Sequence, residues 1–245
     1  MQPVYIAGVG QTAVAEHWER TAGALAAEAL SAALGPIAKE RIQALYVANA
    51  LGGALQIQGQ FGAAVASAVG LAGVEAAAFD AAGASGGVAL RQAYLAVGSG
   101  AYDLVAVVGV EKVTDVLDAR LEAGAALAGD ADWEVVHGTT LTAQWGLLMR
   151  RYMHQYGYDA IDFAPFPVNA HANGAANRQA LYRFPISIDK VRAAGTVADP
   201  LSLLDSATAA DGAAAVLVAS ERLAFGLLAL LEKQREVQYL GELLA

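Results

Sequence analysis

Residues 83–112 read GASGGVALRQAYLAVGSGAYDLVAVVGVEK. An apolar run, Ala76–Phe79, leads into Gly83-Ala84-Ser85-Gly86-Gly87, and a helical apolar pattern, Val88–Val97, leads out of it. Gly98 and Gly100 stop that helix. Leu104–Val110 (LVAVVGV) is then apolar throughout, as suits a parallel strand covered on both faces. A sharp strand-to-helix turn is where α/β enzymes mount nucleophiles. The first helical turn offers free N–H groups and the positive end of the dipole. The natural place for a reactive side chain here is Gly83, which has none.

Working towards the N-terminus, strands and helices alternate. Val4–Val9 reads as a strand with glycines at 8 and 10, and Thr21–Leu34 as a helix stopped by Gly35-Pro36. Ala44–Ala50 reads as a strand, Gly59–Val69 as a small-residue helix and Val74–Ala82 as a second buried strand. This order predicts an α/β fold with right-handed crossovers. Towards the C-terminus the pattern changes. Thr114–Ser206 holds most of the Tyr, Trp, His and Pro residues and reads as an insertion, with a helix at Leu141–Tyr156. Ala164–Asn177 and Phe184–Pro200 read as irregular, polar-lined structure. Ala213–Ala219 (AAAVLVA) returns as a buried strand, and Phe225–Ala245 reads as a helix.

Composition bounds the function. The chain has 245 residues, 56% hydrophobic and 16% charged, which is far too apolar for disorder. A net charge of −9 with no basic run argues against nucleic-acid binding. There is no cysteine, which removes disulfides, thiolate metal sites and a thiol nucleophile. Met1–Gly10 lacks the basic region of a secretory signal. The uncharged stretch Ile42–Val74 is rich in Gln, Gly and Ala and reads as buried sheet and helix, not a membrane span. The expectation is a soluble cytoplasmic protein that binds neither nucleic acid nor membrane.

Other patterns in the chain carry candidate chemistry. Gly8-Val9-Gly10-Gln11-Thr12-Ala13 fits a dinucleotide fingerprint, but the next strand ends Val47-Ala48-Asn49-Ala50 without the ribose-binding acid, so a tight turn is the better reading. Gly83–Gly87 also fits Gly-x-Ser-x-Gly, the elbow of serine hydrolases, with Asp162 and His171 following in order. The competing reading is a serine helix cap among small residues, and the motif alone leaves both open. None of the four histidines has metal-ligand spacing, so no metal is expected. His171 and Asn173 sit among Asn169 and Asn177 in a polar segment that could bind a ligand or satisfy its own backbone.

Gly83–Lys112 resembles the nucleophile segment of thiolases, closest to the sterol-carrier-protein-2 and archaeal acetyl-CoA acetyltransferase type. There the pattern is Cys-Ala-Ser-Gly-Gly, a helix, Ser-Gly, and a strand ending Gly-Val-Glu-Lys. Tyr5–Gly10, RYMHQYG at 151–157, VNAHANGAAN at 168–177 and ADPLSLLDSATAADGAAAVLVAS at 198–220 resemble other parts of the family, in order. The usual Asn before the histidine is Ala170. The resemblance covers residues 4–224. It implies an N-terminal thiolase half of βαβαβαββ type, a mixed, mostly parallel sheet with helices on both faces. An inserted loop domain is implied at about 114–206, and a divergent tail at 225–245. The family makes or breaks carbon–carbon bonds in acyl-CoA substrates through an acyl-enzyme.

Two departures matter. Gly83 occupies the nucleophile position, so no catalytic residue of the first half is retained, and Ser85 matches a family serine that is not the nucleophile. The family's C-terminal half, with its histidine, asparagine and second cysteine, has no counterpart here. The resemblance implies a thiolase-like protein inactive as a thiolase by itself, with acyl-CoA or CoA as ligand. Ser85, Gly86, His171 and Asn173 are its candidate binding residues. An alternative is a subunit of a split lyase performing retro-aldol chemistry on acyl-CoA. Such an enzyme would need a chain supplying the other half, and a DUF35/OB-fold protein. Val88–Val97 is apolar nearly all round, which predicts self-association or such a partner.

Overall fold

The sheet is built from the apolar runs, and their alternation decides which helix covers which face. A computed structural model describes residues 1–116 and 118–226. The elements of the sheet and its helices are β1 (Val4–Gln11), α1 (Ala22–Leu34), β2 (Ala44–Ala48), α2 (Gly52–Leu55), α3 (Phe61–Ala68), β3 (Glu75–Phe79), α4 (Ser85–Gly98) and β4 (Leu104–Glu111). Next come α5 (Asp118–Ala126), α6 (Leu141–Tyr156), α7 (Pro165–Ala176), α8 (Ile188–Ala193), a small hairpin of β5 (Thr196–Ala198) and β6 (Leu201–Ser202), and finally β7 (Gly212–Ser220). The five-stranded sheet runs β1-β7-β4-β2-β3. β2 is parallel to β3 and to β4, and β7 is antiparallel to β1 and to β4. Strands β1 to β4 therefore share one direction and β7 alone is reversed. This is the mixed, mostly parallel α/β sheet that the sequence predicts.

The pleat sorts side chains between two cores. Leu45, Val47, Leu104, Ala106, Val108 and Leu217 face α1 and α3. Tyr46, Val105, Val107 and Val218 face α4, which buries its Ala89, Ala93 and Val97 against them. Each fully buried Val or Leu contributes about 1.5–3 kcal/mol. Thr21 caps α1 by accepting from the Ala24 N–H at 3.1 Å, and Gly35 closes it at φ 51°, where glycine is at home. Gly8 and Gly10 let β1 approach α1 so closely that a Cβ at either would run into a backbone carbonyl of α1, Ala33 or Ala29. That contact explains the glycine spacing that imitates a dinucleotide fingerprint.

Four expectations change. β3 is shorter than Val74–Ala82 and forms the sheet edge, with Glu75 and Ala78 exposed, so it is not a buried strand. α4 begins at Ser85, three residues before Val88, because its first turn is glycine and serine and gives no apolar signal. Residues 165–176 form α7 and are not irregular, so His171 and Asn173 lie on a helix. Pro165 sits in the helix's first turn, where a missing N–H costs nothing. Within 184–200, α8 and β5 also replace irregular structure. The expected helix Phe225–Ala245 lies outside the described residues from 227 onward.

Candidate active site

The turn between β3 and α4 is held in a strained shape by its own polar atoms. Ala82 has φ 48°, the left-handed region that costs an L-residue about 1–2 kcal/mol. Asp80 Oδ1 accepts from the Ala82 N–H at 2.9 Å. Ser85 Oγ accepts from the Ala81 N–H at 2.9 Å and donates to the Ala82 carbonyl at 2.7 Å. Ser85 is buried and is the first residue of α4, so it braces the turn from within and does not cap the helix. Its proton is committed to Ala82. His171 Nδ1 contacts the Phe184 carbonyl at 3.1 Å, and Asp162 accepts from the Asp159 N–H at 2.8 Å. The hydrolase arrangement Ser85–His171–Asp162 is not assembled.

Gly83 follows the strained residue, next to the start of a 14-residue helix. A Cβ built there meets no atom within 4 Å. Gly83, Ser85 and Gly86 line a cavity of about 590 Å³ together with Asn49 and Glu111. Asn49 is buried and donates to the Val110 carbonyl at 2.7 Å and to Glu111 Oε2 at 3.0 Å, while its Oδ1 accepts from the Gly52 N–H at 2.7 Å. Glu111 Oε1 accepts from the N–H groups of Ala50 at 2.5 Å and Leu51 at 3.3 Å. Burial pushes the Glu111 carboxyl above its usual range, and the negative charge of Asp80 adds to this, against the pull of those donors. The cavity thus holds a carboxyl shifted towards neutrality, at the end of β4.

Behind this wall lies an ion-pair clamp. Asp211 is 1% exposed and Lys112 3% exposed, and their charged atoms are 2.9 Å apart. Asp211 also accepts from the N–H groups of Val113, Thr114 and His17 and from the Thr114 hydroxyl. Lys112 is shared with Asp115 at 2.5 Å. Burial opposes the charge on Asp211, but the hydrogen bonds outweigh it and hold the carboxyl well below its ordinary value. Lys112 is held above its own for the same reason, its burial outweighed by Asp115 and Asp211.

The four residues expected to bind a ligand separate. Gly86 and Ser85 share the cavity beside Gly83, His171 lines a second cavity of about 880 Å³, and Asn173 is exposed and lines neither. Sequence reasoning missed Asn49, Glu111 and the Lys112–Asp211 pair. The one available signal was the polar ending Glu111-Lys112 on an otherwise apolar strand. Among the described residues, no group of three His, Asp or Glu side chains could hold a metal ion.

Residues 4–222 match the family model for the thiolase N-terminal domain. The chain belongs to the thiolase family. This thiolase-family chain is 38% identical over 220 residues to an acetyl-CoA acetyltransferase of Methanocaldococcus jannaschii, an alignment covering 89% of the chain and 56% of the relative. It is 31% identical over 154 residues to a steroid side-chain-cleaving aldolase of Thermomonospora curvata, covering 58% of the chain and 39% of the relative. Among solved structures it is similar to the Ltp2-ChsH2(DUF35) aldolase, with a TM-score of 0.72 and 26% identity, over 90% of this chain and 56% of that one. The thiolase-family chain spans about half the length of the curated acetyltransferase it matches. No helix among the described residues is long and apolar enough to cross a membrane.

Proposed function

We propose that this chain is a thiolase-fold subunit that binds an acyl-CoA thioester and does not form an acyl-enzyme by the family route. The observation that carries this reading is Gly83. The turn keeps its strained geometry, its brace and its helix, and the space for a nucleophile's side chain is open, yet no side chain is there. The residues offered to the thioester are the backbone and Ser85 and Gly86 at the α4 turn, with His171 and Asn173 on α7 as outer contacts. Residues 114–206 act in this reading as an inserted loop domain on a thiolase half spanning 1–224. CoA is a ligand and not a resident cofactor, and the site of action is cytoplasmic.

A split lyase is the second reading. Two observations favour it: the likeness to the Ltp2-ChsH2(DUF35) aldolase and exposed apolar side chains on the edge strand β1 and on the outer side of α4. Ile6 and Val9 of β1 are exposed, as are Leu90 and Tyr94 of α4. In this reading a second thiolase half covers these side chains, supplied by a partner chain or a second copy, and a DUF35/OB-fold protein joins the assembly.

Calorimetric titration with CoA and acetyl-CoA tests the first reading. Binding weakened at least tenfold by Gly86→Trp, which fills the mouth of the cavity, is the expected result. No binding by the folded chain, with or without a second thiolase half, overturns it. Gly83→Cys should fold within about 0.5 kcal/mol of the parent, because the added Cβ meets no atom within 4 Å. Its thiol should react with iodoacetamide, yet residues 1–245 carrying this change should not cleave acetoacetyl-CoA by themselves, since they match only about half the length of the acetyltransferase. Cleavage by that variant would contradict this account.

A further inference from the structure

Side chains of β4 alternate between the two faces of the sheet, and Val105 and Val107 face α4. The same alternation puts Gly109 and Glu111 on that face, at the end of the strand. Gly109 lies in register between Ala48 of β2 and Ala214 of β7. These three small residues floor the cavity of about 590 Å³ that contains Gly83. A Cβ at Gly109 would meet only that of Ala48, at 3.9 Å. Gly212 stands opposite Glu111 in the register, so no side chain on β7 faces the carboxyl there. The strand sequences keep this space open, and its volume is within the range of small-molecule sites.

Glu111 is the one ionisable side chain among the described residues of the wall. Its polar neighbours are committed to the fold. Thr12 Oγ1 accepts from the Ala213 N–H at 2.9 Å. The Ser85 proton goes to the Ala82 carbonyl, and Asn49 spends its amide protons on Val110 and Glu111. Glu111 is used unevenly. Oε1 accepts from two N–H groups, those of Ala50 and Leu51, and Oε2 accepts only from Asn49. A carboxylate offers about four lone-pair sites, so Oε2 keeps one for a proton from a ligand. The three donors fix the orientation of the carboxylate. Burial, with the negative charge of Asp80 at the end of β3, makes it a stronger base than a carboxylate in water.

We propose that Glu111 Oε2 is the acid–base centre of this cavity and removes a proton from the carbon α to the carbonyl of a bound thioester. This rests on the thioester reading given above and adds a reaction and a catalytic residue to it. Oε2 takes the proton as the C–H bond breaks. The electron pair of that bond forms the enolate, whose charge rests on the thioester oxygen. The positive end of α4 lies in the same wall, at Ser85 and Gly86, and favours that charge. Return of a proton from the Glu111 carboxyl to the carbon restores the thioester. The step needs neither an acyl-enzyme nor a thiol, which suits a chain with glycine at 83 and no cysteine.

The test follows deuterium uptake into the acetyl methyl group of acetyl-CoA in D2O by proton NMR, on the full chain treated with iodoacetamide. Alkylation silences any contaminating thiol enzyme and finds no cysteine in this chain. Exchange should run about a hundredfold or more above the rate in buffer, the gain typical of a positioned acid or base. Glu111→Gln should lose that gain, while calorimetry finds its acetyl-CoA affinity within about threefold of the parent and circular dichroism finds it folded. A second measurement needs no variant. The parent rate should climb with pH as one carboxyl ionises, with a midpoint above the ordinary carboxylate value, and then level off. Three results would each overturn the proposal and leave the thioester reading intact: bound acetyl-CoA that exchanges no faster than in buffer, a Glu111→Gln variant as fast as the parent, or a rate without that plateau. If acetyl-CoA does not bind, the thioester reading falls and this proposal with it.

Discussion

Glu111 and Asp211 are both withdrawn from water at one end of the sheet, and their environments push them in opposite directions. Asp211 faces the Lys112 ammonium and a ring of donors, and its carboxyl is held down. Glu111 has only neutral donors, with Asp80 nearby, and its carboxyl is pushed up. The difference is the cation. A buried carboxylate with a paired charge becomes a fastening, while one without becomes a group whose protonation is easily changed. The fastening lies behind the cavity wall and the titratable group lies in the wall itself.

The largest expected effect breaks the fastening. Asp211→Ala leaves Lys112 buried with the half-exposed Asp115 as its remaining charged partner beside the Thr114 hydroxyl, and should cost about 3–5 kcal/mol in urea denaturation. A loss below about 1 kcal/mol would show that the pair is not the clamp described. The double change Lys112→Met with Asp211→Leu should recover much of that loss, because the penalty comes from the unmatched charge.

Ser85→Ala comes next. It removes the two Ser85 hydrogen bonds that brace the turn, leaving the Asp80 bond to Ala82 in place and the Ala81 N–H without its acceptor, a loss of about 1–3 kcal/mol. A fluorophosphonate probe should label the parent no more than the variant. Labelling confined to the parent would revive the serine as a nucleophile.

The pH dependence separates the two carboxyls most directly. The folded Asp211 value lies below the unfolded value of about 3.9, so its contribution is complete above pH 4 and is lost as pH falls through the folded value. The folded Glu111 value lies above the unfolded value of about 4.3, so its share of stability declines as pH rises from there through the folded value. Glu111→Gln should flatten that decline and change stability at neutral pH by less than about 1 kcal/mol. A variant that loses stability steeply at neutral pH would make Glu111 a second fastening. Ala82→Gly is the smallest effect, a gain of up to about 1 kcal/mol from relieving the left-handed alanine, offset in part by a looser unfolded chain.

How much was legible depended on whether the signal was local. β4 and α6 could be read because an unbroken apolar run and a clean helical period each belong to one segment. Helix α7 was hidden by Pro165, Pro167, Gly174 and several asparagines, residues that mark loops unless the prolines fall in the first turn of a helix. β3 looked buried because an alanine run carries no polar mark of a sheet edge. Gly83 was legible as a gap in a motif. Glu111 was not, because its partners are backbone N–H groups 60 and 61 positions earlier in the chain. Asp211 and its Thr114 partner are 97 positions apart, a pairing that only the folded topology supplies.

The place of β7 has a consequence for biosynthesis. The last strand of the sheet to leave the ribosome lies between the first and the fourth, paired with both. Until residues 212–220 emerge, β1 has no neighbour and β4 keeps an open apolar edge. The nascent chain must therefore carry two unpaired strand edges through the synthesis of about a hundred intervening residues, at roughly 5–20 residues per second. Chaperone dependence should be concentrated in that interval, and ribosome-stalled chains ending before Gly212 should be far more sensitive to protease than chains extended past Ser220.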